Sequence, residues 1–192
     1  FRTLGETMAR MHTASDAWMP PLSTFSRPSW NSDGLLGERP LWGRFWDCAG
    51  LSADQASRLS GLRRILLEKT DALPGSDYGL IHADLVRENV LIDGDAIEMI
   101  DFDDGGYGWR MFEIATALFK NREEPDYPII EQALIAGYDS VRSLPDTDSL
   151  PLFMALRSVT YIGWIGERLD ARDRQEGLQR YVADALALAT RI

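Results

Sequence analysis

The sequence predicts a mainly α-helical domain of the α+β class, with helices around a small β-hairpin insert. Three observations lead to this prediction: long segments with helical periodicity, short apolar segments beside a tight turn signal, and a hydrophobic content of 45%. The chain has 192 residues, which is enough for one domain of ordinary size with a buried core.

The N-terminal part of the chain combines one helix with a long irregular segment. Leu4, Met8 and Met11 fall on one face of a predicted helix over residues 1–14. Residues 15–50 are rich in Pro, Ser, Gly and Trp, and a loop of this length is usually functional or disordered. Its large aromatic residues either pack over the helices or line a ligand pocket. They are Trp18, Phe25, Trp30, Trp42, Phe45 and Trp46.

The rest of the chain alternates recognisable patterns with turn signals. An amphipathic helix is predicted over residues 52–72, with Leu51-Ser52-Ala53-Asp54 as its start signal. Short apolar strands are predicted at 79–83, 89–93 and 96–100. Asp93-Gly94-Asp95 predicts a tight hairpin between the last two strands. Further helices are predicted over about 110–121, 126–140, 148–170 and 173–191, with breaks at Pro125 and at Ser143-Leu144-Pro145.

The most informative stretch is residues 80–104. It contains His82 and Asp84 as His-x-Asp, Asn89 five residues after this Asp, and Asp101 at the end of the returning strand. Protein kinases use the spacing H-x-D-x-x-x-x-N, followed by a metal-binding aspartate, for phosphoryl transfer. The predicted loop and strand end bring these oxygens together. The spacing therefore predicts a kinase-type catalytic centre, and the alternative is a solvated loop with incidental acidic residues.

Charge and reach predict a role for each residue. Asp84 is expected to orient or accept the proton of an acceptor hydroxyl, because that step needs a carboxylate within hydrogen-bond distance. Asn89 offers a neutral amide oxygen to Mg²⁺, and Asp101 offers an anionic oxygen that holds the ion on the phosphates of ATP. His82 is expected to hold the catalytic loop by hydrogen bonds. Arg87 either contacts a phosphate or is an ordinary exposed arginine.

The segments His82-Ala83-Asp84, Asn89-Val90-Leu91 and Ile100-Asp101-Phe102-Asp103 resemble the aminoglycoside phosphotransferase and choline kinase superfamily. Members of that superfamily typically read H-G-D-x-x-x-x-N-V-L and I-D-F-x-D. The resemblance continues through a glycine-rich turn and helix start at residues 105–115. Ala83 replaces the usual Gly, which we expect an unstrained turn to tolerate, and Glu113 replaces the usual Asp.

Within the superfamily, the chain is most similar to the branch of type II homoserine kinase, hydroxylysine kinase and a bacterial stress-response Ser/Thr kinase. The similarity to this branch lies in residues 25–30 with 41–43, and in Leu156-Arg157 with residues 161–165. The resemblance suggests Asp103 as a second metal ligand, although this residue alternatively only shapes the turn. It also suggests Glu113 as a structural support that caps its helix and braces the loop.

The resemblance implies that residues 1–192 form the larger, C-terminal lobe of a protein-kinase-like fold. The catalytic loop is expected at 80–93 and the metal-binding strand end at 97–104. The pattern Leu-Gly-x-x-x-Ala-x-x-His at Leu4–His12 resembles the helix that opens this lobe. No G-x-G-x-x-G and no V-A-I-K-like strand precede His82. We therefore expect that the N-terminal nucleotide-binding lobe is absent from this chain, and a single-lobe protein is the alternative.

The acceptor is the least defined part of the prediction. Arg157, with Tyr161 and Trp164 on the same helical face, either binds the carboxylate of an amino-alcohol or belongs to the helix core. An aminoglycoside-like polycation would instead need acids such as Glu167 and Asp170, which otherwise mark a solvated face. We expect a phosphotransferase that uses ATP and Mg²⁺ on a small hydroxyl compound. A Ser/Thr protein kinase of the same fold and an inactive kinase-like binding protein are the alternatives.

Composition argues against other classes of protein. A net charge of −10 is unsuited to nucleic acid, whose phosphates need clustered Lys and Arg. A single cysteine, Cys48, excludes an internal disulfide and fits a reducing compartment. The sequence shows no apolar stretch of membrane-spanning length and no signal-peptide pattern. We therefore expect a soluble cytoplasmic protein without a membrane partner, and the sequence gives no prediction of its oligomeric state.

Overall fold

A computed structural model describes residues 1–19, 25–73, 77–94, 96–144, 146–168 and 171–192. The α-helices in this part of the chain are α1 Arg2–Ala17, α2 Ser32–Leu36, α3 Ala53–Asp71, α4 Arg110–Phe119, α5 Tyr127–Asp139, α6 Leu150–Arg168 and α7 Ala171–Leu188. The strands are β1 Ser29–Trp30, β2 Tyr78–Ile81, β3 Val90–Asp93, β4 Ala96–Met99 and β5 Gly106–Trp109. The mainly helical α+β class is confirmed.

The strands form two small sheets. Strands β3 and β4 pair as an antiparallel hairpin, from Val90 opposite Met99 to Asp93 opposite Ala96, which confirms the predicted hairpin. Asp95 of the predicted turn lies outside the described residues. Strand β2 does not join this hairpin but pairs antiparallel with β5, and β1 lies at the other edge of β5. Strand β5 was not predicted because two of its four residues are glycine, which is depleted in strands.

The helices agree closely with the predicted ones. Helix α3 begins at a capping box in which the side chains of Ser52 and Gln55 each accept a hydrogen bond from the other residue's backbone N–H. The segment predicted to be irregular also contains the short helix α2. Pro145, predicted as part of a helix break, lies outside the described residues. Among the described helices, none combines the length and apolar character needed to cross a membrane.

The chain divides into two compact units, of which the first comprises residues 1–29 and 77–148. In this unit α1 packs against α5, and the two helices approach closely at Gly5 and Gly137. A Cβ atom on either glycine would lie 2.1 Å from a backbone carbonyl oxygen of the opposite helix. Every residue of α4 is buried, so this helix forms the centre of the unit.

The second unit comprises residues 30–76 and 149–192. Its core includes α3, α6 and α7 together with aromatic residues from the segment before α3. Trp30, Trp42, Phe45 and Trp46 are buried, so the prediction that the aromatic residues pack is confirmed for these four. Trp18, which belongs to the first unit, is 46% exposed.

Candidate active site

His82 follows β2 directly and is completely buried. Its Nε2 lies 2.8 Å from the carbonyl oxygen of Ile100, and its Nδ1 lies 3.4 Å from the amide nitrogen of Asp84. A carbonyl can only accept and an amide can only donate, so we assign the proton to Nε2. Both ring nitrogens are therefore engaged with backbone groups, and neither is available to take a proton from a substrate.

Asn89 closes the part of the predicted catalytic loop that begins at Asp84. Its Nδ2 donates to the carbonyl oxygen of Asp84 at 2.8 Å and lies 3.4 Å from the Asp84 carboxylate. Its backbone N–H donates to Val86 at 3.0 Å, which closes a short 3₁₀ turn. Because the amide nitrogen is used within the loop, the side-chain oxygen of Asn89 is the atom that can serve a cation.

Asp101 is brought next to this loop by the residue before it. The backbone N–H of Ile100 donates to the carbonyl oxygen of Asn89 at 3.0 Å, and the carbonyl of Ile100 accepts from His82. The structure thus joins the loop that carries Asp84 and Asn89 to the strand end that carries Asp101. The side chain of Asp101 itself is exposed.

Two non-glycine residues of the described chain have a positive φ, and both lie in this site. Ala83 has φ of 67° and Asp101 has φ of 64°. The expectation of an unstrained turn at Ala83 is wrong, because a left-handed conformation costs an L-residue roughly 1–2 kcal/mol. The residue types alone do not reveal φ. Backbone strain of this kind is typically concentrated at functional sites, where the surrounding structure enforces it.

Glu113 binds the backbone of the predicted catalytic loop at His82. Its carboxylate is fully buried in the first turn of α4, and its oxygens lie 2.8 and 3.0 Å from the backbone nitrogen of His82. The structure therefore contains the expected contact with the loop, while the side chain of the N-cap residue Trp109 makes no capping hydrogen bond and Glu113 lies in the first turn of α4. The Glu113 carboxylate accepts a hydrogen bond from the buried backbone N–H of His82, which lies just beyond the paired residues of β2 and so needs another acceptor.

His12 was not predicted as part of the site, although it ends the Leu-Gly-x-x-x-Ala-x-x-His pattern of α1. Its Nε2 lies 3.1 Å from Glu113, and its Nδ1 lies 2.8 Å from the hydroxyl of Tyr138. Burial lowers the pKa of His12 below its ordinary value and outweighs the opposing effect of Glu113. A neutral imidazole fits both contacts, because it donates to the carboxylate and accepts from the Tyr138 hydroxyl.

The other predicted site residues of this unit are placed as follows. Arg87 donates to the side-chain oxygen of Asn121 at 2.6 Å and to Glu124 at 2.6 Å. Its guanidinium is thus bound to the segment after α4 in this structure. Asp103 is exposed in the turn after Asp101. Within the described residues, no group of three or more His, Cys, Asp or Glu side chains is placed to hold a metal ion.

The substrate-binding candidates lie in the second unit. Arg157 is fully buried, its guanidinium carbon lies 4.5 Å from the ring centres of both Trp42 and Tyr161, and it donates to the Tyr161 hydroxyl at 3.1 Å. Trp164 is half-buried, and Glu167 on the same helix is exposed. Asp170 lies outside the described residues. The contacts of Arg157 and Tyr161 are those of side chains packed within the unit.

Comparison with known proteins identifies related sequences. The profile of the phosphotransferase enzyme family (APH) matches residues 1–150. A homoserine kinase of Acidiphilium cryptum (strain JF-5) is 32% identical over 181 residues, covering 88% of this chain and 54% of that protein. The amicoumacin kinase of Bacillus subtilis (strain 168) is 30% identical over 183 residues, covering 88% and 52%. The chain therefore spans about half the length of these curated relatives.

A similar fold is found among solved structures. The structure of a microcompartment-associated aminopropanol kinase matches with a TM-score of 0.87 and 35% identity. The match covers 99% of this chain and 61% of that one. The described fold is thus shared, over nearly its whole length, with part of a small-molecule kinase.

Proposed function

Because this chain belongs to the phosphotransferase enzyme family, we propose that the protein containing it transfers the γ-phosphate of ATP to a hydroxyl group of a small molecule. The observation that supports this most directly is the double hydrogen bonding of Ile100, to Asn89 and to His82. These bonds bring Asp101 close to the loop that carries Asp84, which supports the proposal that acceptor activation and metal binding occur in one site.

Asp84 acts as the base in this proposal. Phosphoryl transfer needs an acceptor hydroxyl that is oriented toward the γ-phosphate and loses its proton as the new P–O bond forms. Asp84 is restrained by the side-chain amide of Asn89, which donates to the Asp84 backbone carbonyl at 2.8 Å and lies 3.4 Å from the Asp84 carboxylate. His82 contributes by holding Ile100 and the Asp84 amide.

The residues present fit a Mg²⁺ ion bound together with the nucleotide. Mg²⁺ prefers oxygen ligands and usually takes only one or two from the protein, the rest coming from phosphates and water. The carboxylate of Asp101 and the side-chain oxygen of Asn89 would hold it, with Asp103 as a further candidate ligand. The ion, when bound, neutralises charge on the phosphates during transfer. Through such an ion, Asp101 and Asn89 would hold the nucleotide in the same site as Asp84.

The relatives suggest the chemical class of the acceptor. Two of them are named for homoserine and aminopropanol, which are both small amino-alcohols. We infer that this protein also acts on an amino-alcohol. Because aminopropanol has no carboxylate, such a substrate does not require Arg157. The enclosure of Arg157 between Trp42 and Tyr161 supports a packing role for this side chain, and substrate binding by it would require these rings to move.

The test is an acceptor panel with the full-length protein. ADP release and phosphorylated product, detected by ³¹P NMR, are measured with ATP, Mg²⁺ and homoserine, aminopropanol, amicoumacin or a Ser/Thr peptide. We expect turnover with at least one amino-alcohol and none with the peptide. Turnover with the peptide alone would favour the protein kinase alternative. Absence of ADP release with every acceptor would favour the inactive binding protein.

A further inference from the structure

Arg27 contacts the turn that follows Asp101 at three points. Its Nε donates to the carbonyl oxygen of Gly105 at 2.5 Å. Its Nη2 donates to the carbonyl oxygens of Phe102 at 2.6 Å and Asp103 at 2.7 Å. A guanidinium carries five N–H donors in a rigid planar fork, so one side chain can bind several carbonyls of a tight turn at once.

The turn needs such support because it lies between the strands of different sheets. Strand β4 ends at Met99 and β5 begins at Gly106, so residues 100–105 belong to neither ladder. Within the turn, the N–H of Gly105 donates to the carbonyl of Phe102 at 3.0 Å. The turn also contains Asp101 in its left-handed conformation, which requires restraint from neighbouring groups.

Arg27 and His82 hold the two peptide carbonyls on either side of Asp101. His82 binds the carbonyl of Ile100, which precedes Asp101, and Arg27 binds the carbonyl of Phe102, which follows it. The backbone of Asp101 is therefore fixed from both sides. His82 comes from the catalytic loop, whereas Arg27 comes from a segment far away in sequence.

The segment that carries Arg27 is itself anchored to the same unit. The carbonyl of Pro28 accepts a hydrogen bond from the backbone N–H of Tyr107 at 2.9 Å, which ties this segment to β5. The proline ring also fixes its own φ and restricts the conformation of Arg27 before it. The guanidinium thus projects from a segment that is hydrogen-bonded to the strand following the turn.

We propose that Arg27 is a positioning residue that keeps the carboxylate of Asp101 oriented toward the cation. The inference rests on the proposed function, in which Asp101 is a Mg²⁺ ligand. Groups that orient metal ligands typically change metal affinity or activity roughly 10- to 100-fold when they are removed. Arg27 acts through the backbone of the turn and needs no contact with the nucleotide or the acceptor.

The experiment compares Arg27→Ala and Arg27→Lys with the parent in the full-length protein. Hydrogen exchange of the amides of residues 101–106 is measured without metal or nucleotide, and Mn²⁺ binding in the presence of AMP-PNP is measured by electron paramagnetic resonance. We expect faster exchange in this turn and a Kd for Mn²⁺ raised roughly 10- to 100-fold for Arg27→Ala. Arg27→Lys should give values between those of the parent and Arg27→Ala, because an ammonium keeps the positive charge but lacks the planar set of N–H donors of a guanidinium.

Arg63→Ala is the matched control. Arg63 also donates from Nε to a backbone carbonyl, that of Leu36 at 2.6 Å, but it belongs to the second unit. We expect this variant to lose stability while the Mn²⁺ affinity stays at the parent value. Equal weakening of Mn²⁺ binding by Arg63→Ala would overturn the proposal, because it would indicate general loosening.

Unchanged Mn²⁺ affinity in Arg27→Ala, despite faster exchange in the turn, would also overturn the proposal and leave Arg27 a purely structural role. If Arg27→Ala does not fold, Arg27→Lys decides the outcome by the same two measurements. Neither measurement requires turnover. A parent protein that transfers no phosphate but binds Mn²⁺ in an Arg27-dependent way would contradict the proposed function and leave the role of Arg27 standing.

Discussion

The Nε2 of His82 lies 2.8 Å from the carbonyl oxygen of Ile100, and this contact joins the catalytic loop to the end of β4. Asp84 lies two residues after His82, and Asp101 follows Ile100 directly. The positions of these two carboxylates are therefore coupled through one imidazole. A substitution that moves either segment should affect both acceptor activation and metal binding.

Asp84→Asn tests the assignment of the base. The amide cannot accept the proton of the acceptor hydroxyl, so we expect kcat in the full-length protein to fall ~10²–10⁴-fold. Thermal unfolding should change little, because the amide has nearly the same shape. Asp71→Asn is the matched control, since Asp71 is exposed at the end of α3 and lies outside this loop, and it should keep the parent activity. Turnover of Asp84→Asn within roughly threefold of the parent would remove Asp84 from this role.

Ala83→Gly tests the strain in the loop. Removing the buried methyl costs about 0.8 kcal/mol, and the added freedom of the unfolded chain costs about 0.4–1 kcal/mol. Relief of the left-handed conformation returns roughly 1–2 kcal/mol. We therefore expect the free energy of unfolding, measured with urea, to change by less than about 1 kcal/mol.

Ala115→Gly provides the comparison for this variant. Ala115 is also completely buried, but it lies in α4, where glycine costs a further amount of about 1 kcal/mol and relieves no strain. We expect this variant to be clearly less stable than Ala83→Gly. Equal losses in the two variants would show that the φ of Ala83 stores no significant strain.

The parts of the structure that depend on local patterns could be predicted from the sequence. Helix periodicity locates α3 to α7 within a few residues, and Gly94 between apolar segments locates the β3–β4 hairpin. The motif spacing also locates the loop and the strand end that Ile100 joins. These features are readable because each depends on residues that are near one another in the chain.

The missed features depend on contacts between distant segments. His12 and Glu113 are 101 residues apart, and Arg27 and Gly105 are 78 residues apart. Histidine on an apolar helix face and arginine in an irregular segment give no local sign of their partners. The left-handed φ of Ala83 is likewise imposed by the surrounding loop, since alanine itself disfavours it.

Glu113→Ala tests the hydrogen bonds by which Glu113 holds His82 and His12. The variant leaves the His82 N–H and the His12 Nε2–H without their buried acceptor, and each unsatisfied donor costs about 1–3 kcal/mol. We expect the free energy of unfolding to fall by about 2–6 kcal/mol in urea denaturation. Glu113→Gln is the control, because its side-chain oxygen can still accept from His82, and it should lose less. A loss below about 1 kcal/mol in Glu113→Ala would show that these bonds are not important for stability.

Stability should depend on pH through His12. Its pKa is lowered by burial and by the nearby Arg110 and Arg142, while Glu113 opposes this, and Tyr138 stays protonated because burial raises its pKa. The unfolded chain therefore binds a proton below about pH 6.5, where the folded protein does not. The contribution of His12 is complete above this pH and is lost as the pH falls, by up to about 1.4 kcal/mol per pH unit.

His12→Gln isolates this contribution, because glutamine can donate and accept hydrogen bonds but does not titrate. Urea unfolding is measured for both proteins between pH 7.5 and 5, where we expect the parent to lose stability faster than the variant on acidification. The carboxyl groups of Glu38 and Glu88 do not interfere, because hydrogen bonds to Arg63 and Lys120 lower their pKa from the ordinary value of 4.5, which is already below this pH range. Parallel pH profiles for parent and variant would contradict the role of a neutral His12.

Metal binding should require the nucleotide. In the proposed site Asp101 and Asn89 would supply two oxygens, and Mg²⁺ needs about six ligands, so phosphates and water would have to complete the shell. We expect weak Mn²⁺ binding by the protein alone and tight binding with AMP-PNP, measured by electron paramagnetic resonance. Asp101→Asn should weaken Mn²⁺ binding in the presence of AMP-PNP and leave Mn²⁺ binding by the protein alone unchanged. Asp103→Asn, measured in the same way, separates its two possible roles, because a ligand would weaken Mn²⁺ binding and a turn residue would not. Tight Mn²⁺ binding without nucleotide that survives Asp101→Ala would contradict the assignment.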